Sequence, residues 1–90
     1  MADETEHDGT TFSGEVSIAG SVSFSSRGSD FSKVQAEVEE FINDHRSDSD
    51  QWKEAKLSGE EQSQGIKWKK VHKYNSQETA VIRMVPARSG

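Results

Sequence analysis

An alternation of apolar and polar or small side chains runs through residues 12–24 and restricts what this part of the chain can fold into. One parity consists of Phe12, Gly14, Val16, Ile18, Gly20, Val22 and Phe24, and the other carries four serines, Glu15 and Ala19. A period of two places successive side chains on opposite faces of a strand, whereas a helix requires a period of 3.6. The segment is therefore predicted to be β structure with one apolar face.

The same segment fits either one bent strand or a tight hairpin. In a hairpin with a three-residue turn at positions 19–21, Val16 faces Phe24. Ile18 then faces Val22, and the apolar face stays intact. A two-residue turn would place a serine opposite Val16 and break that face, so it is rejected. The sequence favours the hairpin with the three-residue turn, although the single bent strand also satisfies the alternation.

Residues 30–46 carry the clearest helical pattern in the chain. The apolar stripe consists of Phe31, Val34, Val38, Phe41 and Ile42, and His45 continues it. These positions recur at the spacing that buries one side of a helix. Ser29 or Asp30 is suited to cap the amino end, because its side-chain oxygen accepts hydrogen bonds from free amides of the first turn. We predict a helix over 30–46 that packs its stripe on a sheet.

Three acidic residues, Glu37, Glu40 and Asp44, lie opposite this stripe on the predicted helix, and we call them the acidic ridge. Neither Glu37 nor Asp44 has a basic residue four positions further on. Like charges at this spacing cost a helix a few tenths of a kcal/mol per pair. The ridge is therefore predicted to be exposed to solvent and is a candidate binding surface for a basic patch on a partner protein.

Three further strands are predicted at 51–58, 66–74 and 79–85. A polar turn of about eight residues separates the first two, and a turn around positions 75–78 separates the last two. Pro86 lacks an amide hydrogen and is expected to end the final strand.

The predicted fold class is α+β, with an antiparallel sheet of four or five strands and one helix packed across one face. The predicted order is β(β)-α-β-β-β, because one apolar helix stripe and one apolar sheet face bury each other most simply. The predicted single domain covers 11–86. Residues 1–10 are predicted to be a disordered acidic tail, and 87–90 are predicted to fray.

The last two strands form an unusually basic hairpin. Parity places Ile66, Trp68, Tyr74, Ala80, Ile82 and Met84 toward the helix, and Lys67, Lys69, Val71, Lys73, Val81 and Arg83 away from it. Lys70 falls on the helix side of this pattern. A β-bulge near positions 69–70, or an edge position for the strand, would allow Lys70 to reach solvent. Lys67, Lys69, Lys70, Lys73 and Arg83 are therefore candidate residues for binding a partner or a nucleic acid, with Trp52 as the candidate exposed ring.

Charge is distributed unevenly along the chain. Residues 1–50 carry three bases and twelve acids, a net charge of −9, and residues 51–90 carry eight bases and four acids, a net charge of +4; the sum is −5. Such asymmetry points to a charged partner, unless the two halves neutralise each other in the fold. The lysines also have a simpler explanation, because charged side chains keep exposed strands from pairing with other molecules.

The sequence contains no strong motif for catalysis or metal binding. It has no cysteine, no nucleophile elbow and no phosphate-binding glycine-rich loop. Asp48 and Asp50 have the spacing of the first EF-hand ligands, but the required glycine is missing. His7, His45 and His72 lie in different predicted elements. We therefore expect no enzyme activity, no cofactor and no metal.

The most plausible function from sequence is a small cytoplasmic binding or regulatory protein that recognises another protein by charge complementarity. Nucleic-acid binding by the basic hairpin is the alternative. The −5 net charge favours the first hypothesis, because it repels a phosphate backbone at long range. No apolar run approaches a membrane span, so no membrane partner is expected. The chain is predicted to be a monomer or a homodimer formed by pairing of sheet edges.

Overall fold

The computed structural model of the chain describes residues 10–86. Its elements are β1 (Thr10–Ile18), β2 (Ser21–Gly28), α1 (Phe31–His45), a 3₁₀ turn (Ser49–Gln51), β3 (Trp52–Glu54), α2 (Gly59–Ser63), β4 (Ile66–His72) and β5 (Thr79–Pro86). The predicted tail lies outside the described residues except for Thr10, which begins β1 and is therefore not part of a disordered tail. The predicted frayed segment 87–90 also lies outside them.

The five strands form one antiparallel sheet in the order β2-β1-β5-β4-β3. Helix α1 packs across β2 and β1 and reaches β5. The predicted fold class is confirmed, including the order of strands and helix along the chain. Strands β2 and β3 are the two edges of the sheet.

The first two strands form a hairpin, as favoured, but its turn has two residues rather than three. Ala19 and Gly20 both have positive φ, 55° and 83°, as a two-residue turn of type I′ requires. A register shift leaves Ser23 as an extra residue, so Val16 still pairs with Phe24. The two-residue turn therefore keeps the apolar face intact, because the β-bulge at Ser23 restores the pairing of Val16 with Phe24. The predicted pairing of Ile18 with Val22 is wrong, and Val22 is 58% exposed near the hairpin tip.

Helix α1 confirms the predicted helix and its stripe. Asp30 caps it by accepting hydrogen bonds from the amides of Ser32 (3.0 Å) and Lys33 (3.4 Å). The buried core is Val16, Val34, Val38, Ile42, Trp52, Trp68, Ala80 and Ile82, with Phe31 and Phe41 packed against it and half-buried. The core thus combines the helix stripe with the inner face of the sheet.

Two elements differ from the sequence prediction between α1 and β4. Strand β3 has only three residues, much shorter than predicted. The predicted polar turn contains helix α2, because Ser58 accepts from the Glu61 amide while the Glu61 side chain accepts from the Ser58 amide. This capping box is visible in the sequence as Ser-x-x-Glu and could have predicted the helix start.

Most side chains of the β4–β5 hairpin lie on the predicted faces of the sheet, but neither structural feature that was predicted to let Lys70 reach solvent is found. The bulge falls at Lys67, and β4 is not an edge strand. Lys70 pairs across the ladder with Ala80, which is fully buried, so Lys70 lies on the face that α1 covers. Tyr74 is 75% exposed, and its predicted inward position is wrong.

Candidate protein-binding groove

A groove of about 350 Å³ runs between β2 and α1. The residues that line this β2–α1 groove are Phe24, Ser25, Ser26, Glu37, Glu40, Phe41, Asp44 and His45. The Phe24 and Phe41 rings stack with centroids 4.7 Å apart, and His45 stacks on Phe41 at 4.3 Å. The groove therefore has an aromatic floor with carboxylates along its helix side.

The groove forms because α1 runs antiparallel to β2 and matches it position by position. Phe24 lies beside Phe41, and the Ser26 hydroxyl donates a hydrogen bond to the Glu37 carboxylate. Serines in β2 are too small to fill the space beside these aromatic rings. The floor therefore stays partly open, and both rings are only half-buried.

The three residues of the acidic ridge differ in their exposure and in their contacts. Glu40 and Asp44 are exposed, as predicted. Glu37 is half-buried and bonded to Ser26, so the prediction that it is solvent-exposed is wrong. Glu40 and Asp44 have no basic partner among the described residues, and they remain the two carboxylates with which a bound molecule could pair.

The edge of the sheet lies directly next to this groove. In the described part of the chain, no strand pairs with the far side of β2. Its eight residues, SVSFSSRG, include one charged side chain, Arg27. Edge strands are usually guarded by short length, proline, several charges or a β-bulge, and β2 has only the bulge at Ser23, near the hairpin tip. Part of its backbone hydrogen-bonding capacity is thus directed away from the sheet.

The opposite end of α1 carries charges of both signs. A second groove there is lined by two bases, Arg27 and Lys33, and by two acids, Asp30 and Glu37. The surface along β2 and α1 therefore changes from acidic near Asp44 to mixed charge near Lys33.

The predicted basic surface is smaller in the structure than in the sequence. Lys69 Nζ lies 2.6 Å from Glu61 Oε2 of α2, and this contact, with the backbone bond to Ser58, holds the pKa of Glu61 below its usual value. Lys70 Nζ lies 3.4 Å from Glu39 Oε2 of α1. Two of the five predicted cations therefore already have carboxylate partners.

The remaining three cations, Lys67, Lys73 and Arg83, have no carboxylate partner within residues 10–86. Lys67 and Lys73 are exposed, and Arg83 is half-buried on the face of the sheet opposite α1. Trp52 is 2% exposed and belongs to the core. The expectation that its ring is exposed is wrong, so Trp52 is not positioned to stack on a base or on a partner.

A compact charged cluster, which was not predicted from the sequence, lies between the end of α1 and the β4–β5 turn. Arg46 Nη2 donates to Glu78 Oε1 at 2.8 Å, and its Nε lies 3.4 Å from Asp48 Oδ1. His72 Nε2 donates to Asp48 Oδ2 at 2.9 Å, and its Nδ1 accepts from the Tyr74 amide at 3.0 Å. The His72 bond is the main cause of the lowered pKa of Asp48, and Arg46 adds to it.

The Asp48, His72 and Glu78 side chains approach one another within 4.8 Å, a spacing that a metal ion could bridge. Arg46, however, pairs with both carboxylates, and the imidazole uses both of its nitrogens for hydrogen bonds. The cluster thus holds the α1 end against the β4–β5 turn, and both of its carboxylates already have partners inside it. Its two parts, positions 46–48 and 72–78, are at least 24 positions apart in sequence, a separation that no local motif reveals.

Comparison with protein families, curated proteins and solved structures finds no match for this chain. Within residues 10–86, neither helix has the length and apolar character needed to cross a membrane. Among the surfaces of residues 10–86, the β2–α1 groove combines an aromatic floor, an open strand edge and two carboxylates that have no basic partner in this range.

Proposed function

We propose that this protein is a small non-enzymatic binding protein that recognises a basic region of a partner protein through the β2–α1 groove. The observation that carries the proposal is the position of Glu40 and Asp44, which are exposed beside the Phe24–Phe41 floor and have no basic partner within residues 10–86. Apolar contact supplies binding energy, and the two carboxylates steer a cationic surface into place and select against acidic ones.

The test compares proteins captured by the wild type with those captured by the double variant Glu40→Gln, Asp44→Asn. Glu37 is left intact because its bond to Ser26 is part of the fold. The matched control is Asp50→Asn, Glu60→Gln, which removes two charges from exposed positions outside the groove. Capture at low and high salt, followed by mass spectrometry, should show a partner retained by the control and lost by the groove variant. Identical partners for all three proteins at both salt concentrations would contradict the proposal.

Nucleic-acid binding is the weaker alternative. Only Lys67, Lys73 and Arg83 of its five candidate cations remain without a carboxylate partner in the described residues, and Trp52 is buried. If the alternative holds, the wild type should bind a mixed oligonucleotide at about 50 mM salt, with affinity that falls steeply as salt rises. Changing these three residues to Gln should then abolish binding.

A further inference from the structure

We infer that the partner adds a strand to the free edge of β2. This inference rests on the proposed function and states how the groove is used. An extended segment of the partner would pair with the β2 backbone, place a large apolar side chain on the Phe24–Phe41 floor, and direct a Lys or Arg toward Glu40 and Asp44. This mode takes its affinity from main-chain hydrogen bonds and its specificity from alternate side chains.

The backbone of β2 supports this mode by its length and its composition. Eight residues at about 3.3 Å each give an edge on the order of 25 Å long. Four of them are serines, which leave room for a neighbouring strand. The β3 edge offers only three residues and is less suited to pair with a long segment.

The side chains specify which segment fits. Residues on the inner face of an added strand recur every second position, about 6.6 Å apart. Along β2 the inner positions are Phe24, beside the aromatic floor, and Ser26, beside Glu37. One inward side chain of the partner therefore meets an aromatic surface. The next inward side chain toward the α1 carboxyl end meets Glu40 and Asp44, so it should be basic.

A second copy of this chain fits the edge less well. In an antiparallel pairing of two β2 strands centred near Ser25, Glu37 and Glu40 of each helix lie closest to the twofold axis, because they flank the Phe24–Ser26 stretch. Four carboxylates then approach one another, and like charges across an interface oppose association. Charge complementarity thus favours a basic segment of another protein.

The experiment selects ligands from random 12-residue peptides displayed on phage, with the full chain as bait and the Glu40→Gln, Asp44→Asn variant for counter-selection. Selected peptides should carry an apolar residue and a Lys or Arg on the same parity. The groove variant should weaken their binding by roughly tenfold through loss of two rim ion pairs. The control Asp50→Asn, Glu60→Gln should bind as the wild type does.

Backbone pairing is tested by two N-methylated forms of the best peptide, methylated at alternate amides in opposite frames. Only one frame donates to β2, so one form should lose binding and the other should keep it. Equal binding of both forms, with charge dependence retained, would overturn strand addition and leave the proposed function standing.

Peptides whose binding ignores Glu40 and Asp44 would overturn both the inference and the use of the groove. If no peptide of the library is enriched over the counter-selection, the inference is also overturned. The proposed function is then tested separately by the capture of partners from lysate. If sedimentation of the wild type shows a dimer that forms through β2, the occupant of this edge is a second copy of the chain and not a basic segment of another protein.

Discussion

The two edges of the sheet are built in different ways. The β3 edge is three residues long and is fixed by Trp52, which is 2% exposed. The β2 edge is eight residues long and is held by Phe24, which is half-buried against Phe41. Beside β3, Arg46 pairs with both neighbouring carboxylates, whereas Glu40 and Asp44 near β2 have no basic partner in the described residues. One edge is thus short and flanked by carboxylates that are already paired, and the other is long and flanked by carboxylates without such a partner.

The largest predicted effect is a difference in unfolding free energy between variants of Trp52 and Phe24, the aromatic residues that hold the two edge strands against the core. Trp52→Ala should cost about 3–5 kcal/mol of unfolding free energy, the range for deleting a buried aromatic ring. Phe24→Ala should cost only about 1–2 kcal/mol, because its ring is partly exposed to solvent in the native state. Urea denaturation measures both values. Equal losses would mean that the edges are anchored alike.

Trp52→Phe provides the control if Trp52→Ala does not fold. It keeps most of the packing and removes an indole N–H that is buried without a hydrogen-bond partner among the described residues. We expect it to retain most of the wild-type stability. A loss as large as that of the alanine variant would show that ring packing is not what fixes β3.

A smaller effect is expected where α1 approaches the β2 side of the sheet. A Cβ at Gly14 would lie 2.7 Å from Val38 Cγ2 and 2.9 Å from Val34 Cγ1. Gly14→Ala should therefore destabilise the protein by about 1–3 kcal/mol, the usual range for overpacking. Gly59→Ala is the matched control, since nothing lies within 4 Å of its added Cβ, and its effect should stay within about 0.5 kcal/mol. Thermal melts of both variants test this; unchanged stability of Gly14→Ala would show that α1 can move away from β1 at no cost.

The smallest predicted effect concerns acid stability next to β3. The pKa of Asp48 lies below its ordinary value of 3.8, mainly because of the His72 hydrogen bond. A carboxyl group with a lowered folded-state pKa stabilises the native protein above its ordinary pKa, and this stabilisation is lost as pH falls through the folded-state pKa. Asp48→Asn should therefore flatten the loss of stability that occurs as pH falls below about 3.8.

The measurement is the urea midpoint at a series of pH values. Asp50→Asn, which removes a charge without touching His72, should keep the wild-type acid dependence. If the Asp48→Asn and wild-type curves fall in parallel, the contact with His72 does not contribute to the acid dependence of stability.

Local patterns were enough to predict most of the fold. The stripe of α1 and its cap at Asp30 depend on neighbours within a few positions, as does the alternation in 12–24. The turn at Ala19 and Gly20 was predicted wrongly because its register depends on the bulge at Ser23, which no periodic pattern reveals. Charge pairing was the least predictable, since Lys70 meets Glu39 and Arg46 meets Glu78 only after the chain has folded.

The site was predictable to the same limited extent. Glu40 and Asp44 are exposed, as helical spacing indicates, but the groove beside them exists only because α1 lies antiparallel to β2. The position of Trp52 was not predictable, because the alternation of side chains in a strand of only three residues does not establish on which face of the sheet its ring lies.

The central claim is that β2, and not β3, is the edge that takes a partner strand. Amide hydrogen exchange of the full chain, with and without a peptide selected on the groove, tests it most directly. We predict slower exchange at alternate amides within Ser21–Gly28 and unchanged exchange within Trp52–Glu54. Protection confined to β3 and β4, or no added protection in β2 at saturating peptide, would contradict the claim.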